Sequence, residues 1–336
     1  MADLDFAIDY RTAPALAAAR RRSEALLATA AHKLDRLQLV ELETIALAGS
    51  LGRLEVSAGS DFDCLVVARD GASPAALAAE LERVHGMFAT LGLRVPKADG
   101  IYREAIDRAA LLASHARGSL DEVPATFGQR VQFLLDARPV YAATRFVHLR
   151  RAIIDWYGAD FIERDGAKSW TFLLNDVQRY LHAYAGWQQF KLTRSAADSW
   201  ELRQAKFRSV RVVTMAGLLL LLGASNHRPD KLAWLERQLD ATPLERLAAV
   251  MNRYDRSAFG RVLAAYEFMY ARLADPAFRS RLIVGGPDQQ SGFTVPPSAA
   301  FEELDTAATT LMETLTAFLI ARWEDWDPRF FTRLLL

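Results

Sequence analysis

Between two short apolar stretches the chain carries Ala48-Gly49-Ser50-Leu51-Gly52-Arg53-Leu54-Glu55-Val56-Ser57-Ala58-Gly59-Ser60-Asp61-Phe62-Asp63, and no other segment restricts the fold as much. Thr44 to Ala48 reads as a strand that stops at Gly49-Ser50. Phe62 to Val67 reads as a second strand, apolar except for Asp63 and therefore expected near the centre of its sheet. In a strand, residues two apart share a face, so Asp61 and Asp63 point one way while Phe62 and Cys64 point the other. Gly49 has no side chain to keep a ligand from the backbone. Ser50 opens a short helix, whose free N–H groups and positive dipole end favour an anion. Two carboxylates facing such a turn suit a divalent metal with a triphosphate, because Mg2+ prefers a few carboxylates plus phosphate oxygens. Two such ions about 4 Å apart activate an attacking oxygen and stabilise a leaving pyrophosphate.

The rest of the first half reads as a small α/β unit. Pro14 to Leu37 predicts a long helix, with Arg20-Arg21-Arg22 on a solvated face. Ala75 to Leu91 predicts another, opened by a Ser73 cap and Pro74 in the first turn. Leu93 to Tyr102 and Val131 to Tyr141 are expected as third and fourth strands. Beyond about residue 145 the strand signals fade. Trp170–Lys191, Trp200–Leu222, Pro229–Leu239, Pro243–Leu273 and Ser298–Trp323 carry helical periodicity, with a Gly/Pro-rich loop between the last two. The expectation is an α+β protein: a small mixed-sheet domain over 1–145 and an all-helical domain over 146–336.

Bulk composition narrows the classes. The chain has 336 residues, enough for two ordinary domains. Its 41 basic and 41 acidic residues balance, which argues against coating nucleic acid through bulk charge. The single cysteine, Cys64, excludes an internal disulfide and a multi-cysteine zinc site, and suits a reducing cytosol. The N-terminus lacks a signal-peptide layout. The apolar run Val212 to Ala224 reads as a buried helix rather than a membrane span, so a soluble cytoplasmic protein with no membrane partner is expected.

Gly49-Ser50 followed by Ser60-Asp61-x-Asp63 resembles the signature of polymerase-β-like nucleotidyltransferases. The finer pattern Gly-x-x-Gly-Arg-x-Glu…Ser-Asp-x-Asp resembles the nitrogen-signalling protein uridylyltransferases and, with small shifts, the glutamine-synthetase adenylyltransferases. Gly49 to Arg53 also resembles aminoglycoside nucleotidyltransferases, and Leu134-Leu135-Asp136-Ala137-Arg138 is similar to a uridylyltransferase segment. The chain is most similar to stand-alone relatives of those uridylyltransferases. The likeness is strong over about 44–68 and weaker to about 141. It implies an enzyme that moves NMP from an NTP, ATP or another, to a hydroxyl acceptor with release of pyrophosphate. Gly49, Ser50 and Ser60 would bind the nucleotide, and Arg53 would stabilise leaving-group charge. Asp61 and Asp63 with a third acid would hold two Mg2+ or Mn2+ ions. Asp136 is preferred to Asp99 as that acid, the alternative for Asp136 being a salt bridge to Arg138.

In the helical half, Leu173, Val177, Tyr180, Leu181 and Tyr184 read as a core face, with Asn175, Arg179 and His182 along another. The helix from Trp200 begins with Arg203, Lys206, Arg208 and Arg211 and ends apolar all round. Arg203 and Lys206 are therefore candidates for a triphosphate or acceptor phosphate, unless Asp198 and Glu201 pair with them. His85, His115, His148 and His227 have no metal-ligand spacing, and the chain has no His-Asp dipeptide, the pair the uridylyltransferases use hydrolytically. The acceptor is a protein side chain by slight preference, an RNA 3′ end or a small molecule. The competing expectation is a catalytically silent NTP-binding regulatory module.

Overall fold

The computed structural model describes residues 6–57, 60–93, 102–119, 122–158, 170–194, 200–226, 228–282 and 297–335. In chain order these form α1 (Pro14–Asp35), β1 (Leu42–Ala48), α2 (Gly49–Gly52), β2 (Asp63–Ala68), α3 (Pro74–Ala89), α4 (Arg108–Leu111), α5 (Pro124–Leu135) and β3 (Arg138–Tyr141). Then follow α6 (Ala143–Gly158), α7 (Thr171–Arg194), α8 (Trp200–Lys206), a π-helical turn (Phe207–Arg211) and α9 (Val212–Ser225). The chain continues through α10 (Lys231–Gln238), α11 (Pro243–Tyr254), α12 (Arg256–Ala274), α13 (Pro276–Arg279), α14 (Ala299–Ile320) and α15 (Pro328–Leu335). The protein is predominantly helical around a small antiparallel sheet, an α+β arrangement.

The sheet order is β2-β1-β3, with β1 central and antiparallel to both neighbours. The parallel component expected of a mixed sheet is, among the described residues, one bridge, Val67 to Ile106 on the open edge of β2. Alternation splits the buried side chains of β1 and β2 between two cores. Ile45, Leu47, Cys64 and Val66 join α1 and α3, while Ala46, Ala48, Leu65 and Val67 join the larger core with α5, α6 and the later helices.

Several expectations are corrected. Val131 to Tyr141 is not one strand: α5 runs to Leu135, and only Arg138–Tyr141 pairs with β1. Pro124 at the first turn and apolar residues at Phe127, Val131 and Leu134 carry the helical period that the apolar run hides. The helix expected over Pro243–Leu273 breaks at Asp255, whose carboxylate caps α12 through the Ala258 N–H (2.9 Å). Ser73 occupies the N-cap position of α3 without a side-chain capping bond, leaving Pro74 as the start signal. Of the expected strand Leu93–Tyr102, residues 94–101 lie outside the described residues and Tyr102 sits in a turn.

The two halves share structure. The boundary proposed at 145/146 falls inside α6, which packs on both β1 and α10. The N-terminus of α1 has no local side-chain cap; Glu267 of α12 supplies one, accepting from the Ala15 (2.7 Å) and Leu16 (3.0 Å) N–H groups. Arg20 binds Glu245 (2.5 Å) and Arg22 the Val56 carbonyl (3.2 Å), so two of the three consecutive arginines are tied into the fold. By length and composition the continuous helix Trp200–Ser225 is apolar enough to cross a membrane. Here its apolar end is buried against α11, α5 and α10.

Candidate active site

The turn after β1 is built for close approach. Gly49 has φ +63, and any side chain there would run into the Asp63 carboxylate. Asp63 sits opposite Ala48 in the β1–β2 register, which holds its carboxylate against the turn. Gly52 abuts the Asp136 carbonyl, with no room for a Cβ. The loop that follows is fixed from outside: the Tyr270 hydroxyl reaches the carbonyls of Glu55 and Val56 (both 3.2 Å), and Ser23 Oγ accepts from the Val56 N–H (3.0 Å). Ser60 Oγ closes a small turn by accepting from the Ser57 N–H (3.0 Å).

Two acidic pairs flank this turn, and they differ. Glu55 and Asp136 are buried on either side of Arg53, with Arg53 Nε 2.8 Å from Glu55 Oε2 and Nη1 2.6 Å from Asp136 Oδ2. Tyr266 donates to the other Glu55 oxygen (2.8 Å). Gln132 donates to the other Asp136 oxygen, and is itself held by the Tyr180 hydroxyl (2.9 Å). Every carboxylate oxygen of this pair has a partner, as buried charge requires. Burial pushes the Glu55 carboxyl above its usual range, opposed chiefly by Arg53.

Asp61 and Asp63 are open to a cleft of about 340 Å³, within the range of small-molecule sites. Gly49, Ser50 and Ser60 line it on the same side, and Lys206, Arg211 and Arg279 line it too. Asp61 is exposed and Asp63 partly buried. Burial pushes the Asp63 carboxyl upward, and the Arg211 guanidinium is the strongest influence holding it down. Arg211 stacks on the Tyr184 ring (4.5 Å to the centroid), and among the described residues it has no carboxylate within ion-pair distance.

The π turn explains why Lys206 and Arg211 share this cleft. The Val212 N–H bonds the Phe207 carbonyl, a five-residue step. Residues five apart are then nearly one turn apart, whereas in an α-helix they would diverge by about 140°.

The structure brings Gly49, Ser50, Arg53, Ser60, Asp61, Asp63 and Lys206 to one cleft. Arg53 lines it, but its guanidinium is committed to the locked pair rather than presented to a ligand. Arg203 is not among the lining residues, and Glu201 is taken by the N-terminus of α14 through Ser298 (2.7 and 2.6 Å). Arg208 pairs with Asp305 and Thr309. Asp136 is paired with Arg53 rather than Arg138, which reaches the carbonyls of Gly52 and Asp240. Asp99, Asp198 and His227 lie outside the described residues.

Among the described residues no three His, Cys, Asp or Glu side chains converge as a metal cage. The Asp61/Asp63 pair fits Mg2+, a hard cation that completes its shell from phosphate and water. Asp136 is held by Arg53 and Gln132 and is not among the residues that line the cleft with Asp61 and Asp63. Arg279, Tyr266 and Tyr270 are lining residues that the sequence did not single out, and Arg211 and Tyr184, read there as a basic helix residue and a core-face aromatic, line it as well. For Arg211 the available signal was its position at the junction of the basic and apolar parts of one helix. No protein-family model matches the chain, and no curated protein matches it.

Proposed function

We propose that the chain is a metal-dependent nucleotidyltransferase that moves NMP from an NTP to a hydroxyl acceptor. In this reading residues 1–145 form the nucleotidyltransferase unit and 146–336 a helical unit that completes the nucleotide cleft. The observation that carries it is one cleft holding a same-face carboxylate pair, a glycine that bares the backbone, and three cations, Lys206, Arg211 and Arg279. That charge pattern suits a magnesium triphosphate, whose metal seeks carboxylates while its phosphates seek cations.

Asp61 and Asp63 would hold the ion, which when bound supplies Lewis-acid activation of the phosphoryl group. Arg211 is pre-oriented by Tyr184 and presents a fixed cation to phosphate oxygens as charge develops. Lys206 adds a second positive charge on the same helix. Gly49 and Ser50 allow the phosphates to approach the backbone at the end of β1. Arg53 acts at one remove, tying Glu55 and Asp136 so that the turn keeps its shape. The acceptor retains the order given by the resemblance: protein side chain first, RNA 3′ end or small molecule after.

One observation favours the second reading, a silent NTP-binding regulatory module: Asp136, the preferred third acid, is committed to Arg53 and Gln132 and does not line the cleft. One experiment separates the two. Pure protein is incubated with each α-labelled NTP and Mg2+ or Mn2+, with and without cell extract, beside an Asp61→Ala/Asp63→Ala variant. Label transferred by the parent and lost in the variant supports the enzyme, and its location identifies the acceptor. Tight metal-dependent NTP binding without transfer supports the regulatory module. Neither binding nor transfer overturns both.

A further inference from the structure

A second polar cavity adjoins Gly52 and Asp136 and shares no lining residue with the nucleotide cleft. Its enclosed part is about 20 Å³, room for one water-sized group. Arg138, Arg150 and Arg246 all line it, against Asp240 and the already committed Asp136.

The three arginines are satisfied to different degrees. Arg246 is buried and donates to four carbonyls, those of Leu134 (2.9 Å), Leu135 (2.7 Å), Leu239 (2.9 Å) and Ala241 (2.9 Å). Its hydrogen bonds go to neutral carbonyls, and the Asp136 and Glu245 carboxylates act on its charge without an ion pair to either. Arg138 reaches carbonyls at long range, Gly52 (3.4 Å) and Asp240 (3.3 Å). Arg150 is 2% exposed; its Nη2 lies 2.5 Å from Asp240 Oδ1, while its buried Nε has no acceptor among the described residues. An orphaned donor in a buried guanidinium is costly unless something fills the place beside it. Asp240 compensates weakly, because its side chain is 75% exposed and screened by solvent. Thr242 caps α11 at the cavity wall, adding the positive end of that helix. Burial and the neighbouring Arg150 and Arg138 charges pull Arg246 down to about 9, a further sign of crowded cations.

We propose that this cavity binds a small oxyanion, either inorganic phosphate or the phosphate of a monoester. One oxygen would enter the enclosed part toward Arg150 Nε, with the remaining charge at the mouth beside Arg138. Arg138 also holds the Gly52 carbonyl, and Arg246 holds the carbonyls that precede Asp136, so an anion there steadies the backbone behind the Gly49–Gly52 turn. The inference does not depend on the nucleotide reading.

The test is calorimetric titration of the full chain with inorganic phosphate in phosphate-free buffer, repeated on three variants. One saturable site is expected. Arg150→Gln should weaken it about tenfold, the size of one charge-assisted hydrogen bond. Asp240→Asn, a change at an exposed side chain, should tighten it by removing the competing carboxylate. Arg211→Gln should leave it unchanged. Loss of binding in Arg211→Gln with retention in Arg150→Gln would place the anion in the nucleotide cleft and overturn the proposal. So would the absence of any saturable heat. Should Arg150→Gln fail to fold, Asp240→Asn decides: unchanged affinity overturns the site. A parallel titration with phenyl phosphate distinguishes the sources, tighter binding assigning the site to an esterified phosphate and weaker binding to the free anion.

Discussion

The two acidic pairs beside the Gly49–Gly52 turn are neighbours in space yet opposite in character. Glu55 and Asp136 are buried, and each oxygen has a partner: Arg53 between them, Tyr266 and Gln132 at the outer ends. Asp61 and Asp63 face a cleft whose cations belong to the far half of the chain. A buried charge that is fully paired does structural work, because removing a partner leaves an uncompensated ion. The Asp63 carboxylate, at the cleft, is opposed by burial and offset chiefly by Arg211 across it, a perturbed group of the kind that marks functional sites. The difference separates scaffold from site more sharply than residue type does, since all four residues are carboxylates.

Breaking the locked pair should have the largest effect. Arg53→Ala leaves Glu55 and Asp136 buried together without their shared cation, and a loss of about 3–5 kcal/mol in unfolding free energy is expected. Denaturant unfolding measures it; a loss below about 1 kcal/mol, the usual ceiling for exposed pairs, would erase the distinction.

Asp63→Asn should act in the opposite sense on stability. Burial raises the Asp63 carboxyl above its ordinary 3.8, so the stability its protonated form contributes is complete below that value and is lost as pH rises through the raised one. The variant should melt higher than the parent at pH 7 and show no gain below about pH 4, where both forms are neutral. Nucleotide transfer by the same variant should fall at least about a hundredfold, the scale of losing a main electrostatic contact. A variant that melts lower at pH 7 would make Asp63 part of the scaffold.

Arg211→Gln tests the opposite wall. Metal-NTP affinity should drop about tenfold with the melting temperature little changed, as suits a cation that meets phosphate. Calorimetry with a non-hydrolysable NTP reads this directly. The smallest effect expected is that of Asp61→Asn on stability, within about 0.5 kcal/mol because the side chain is exposed. Its metal affinity should still fall with that of Asp63→Asn.

What could be read from the sequence follows the range of the interactions involved. β1, β2, α1 and α3 were legible because hydrophobic period and the first-turn prolines Pro14 and Pro74 are local. The motif residues were legible because 49–63 folds back on itself within one turn. α5 was missed because an apolar run of that length does not distinguish a buried strand from a helix, and Pro124 lay upstream of the run. Asp136 was singled out as an acid that must be paired or metal-bound, but its partner Arg53 lies 83 residues away and could not be assigned. Tyr266, 211 residues from Glu55, carried no local signal at all. Lys206 was found as a cation leading into a buried helix, paired with Arg203 at α-helical spacing; Arg211 was named in the same basic stretch, but its place beside Lys206 depends on the π turn.

The π turn also sets a phase between two helices with unrelated obligations. α8 must present its buried residues to α14, and α9 must bury its side chains in the central core. Deleting one residue between Phe207 and Arg211 would restore a regular α-helix in which residues four apart again fall about one turn apart, so the two ends would keep nearly their present phase. Straightening the turn at unchanged length would instead swing α8 against α9 by on the order of 100°, and one of them would lose its packing or Lys206 would leave the cleft. The chain can therefore lose a residue here with less disturbance than it can lose the wide winding, and winding, rather than length, is the property that the turn protects.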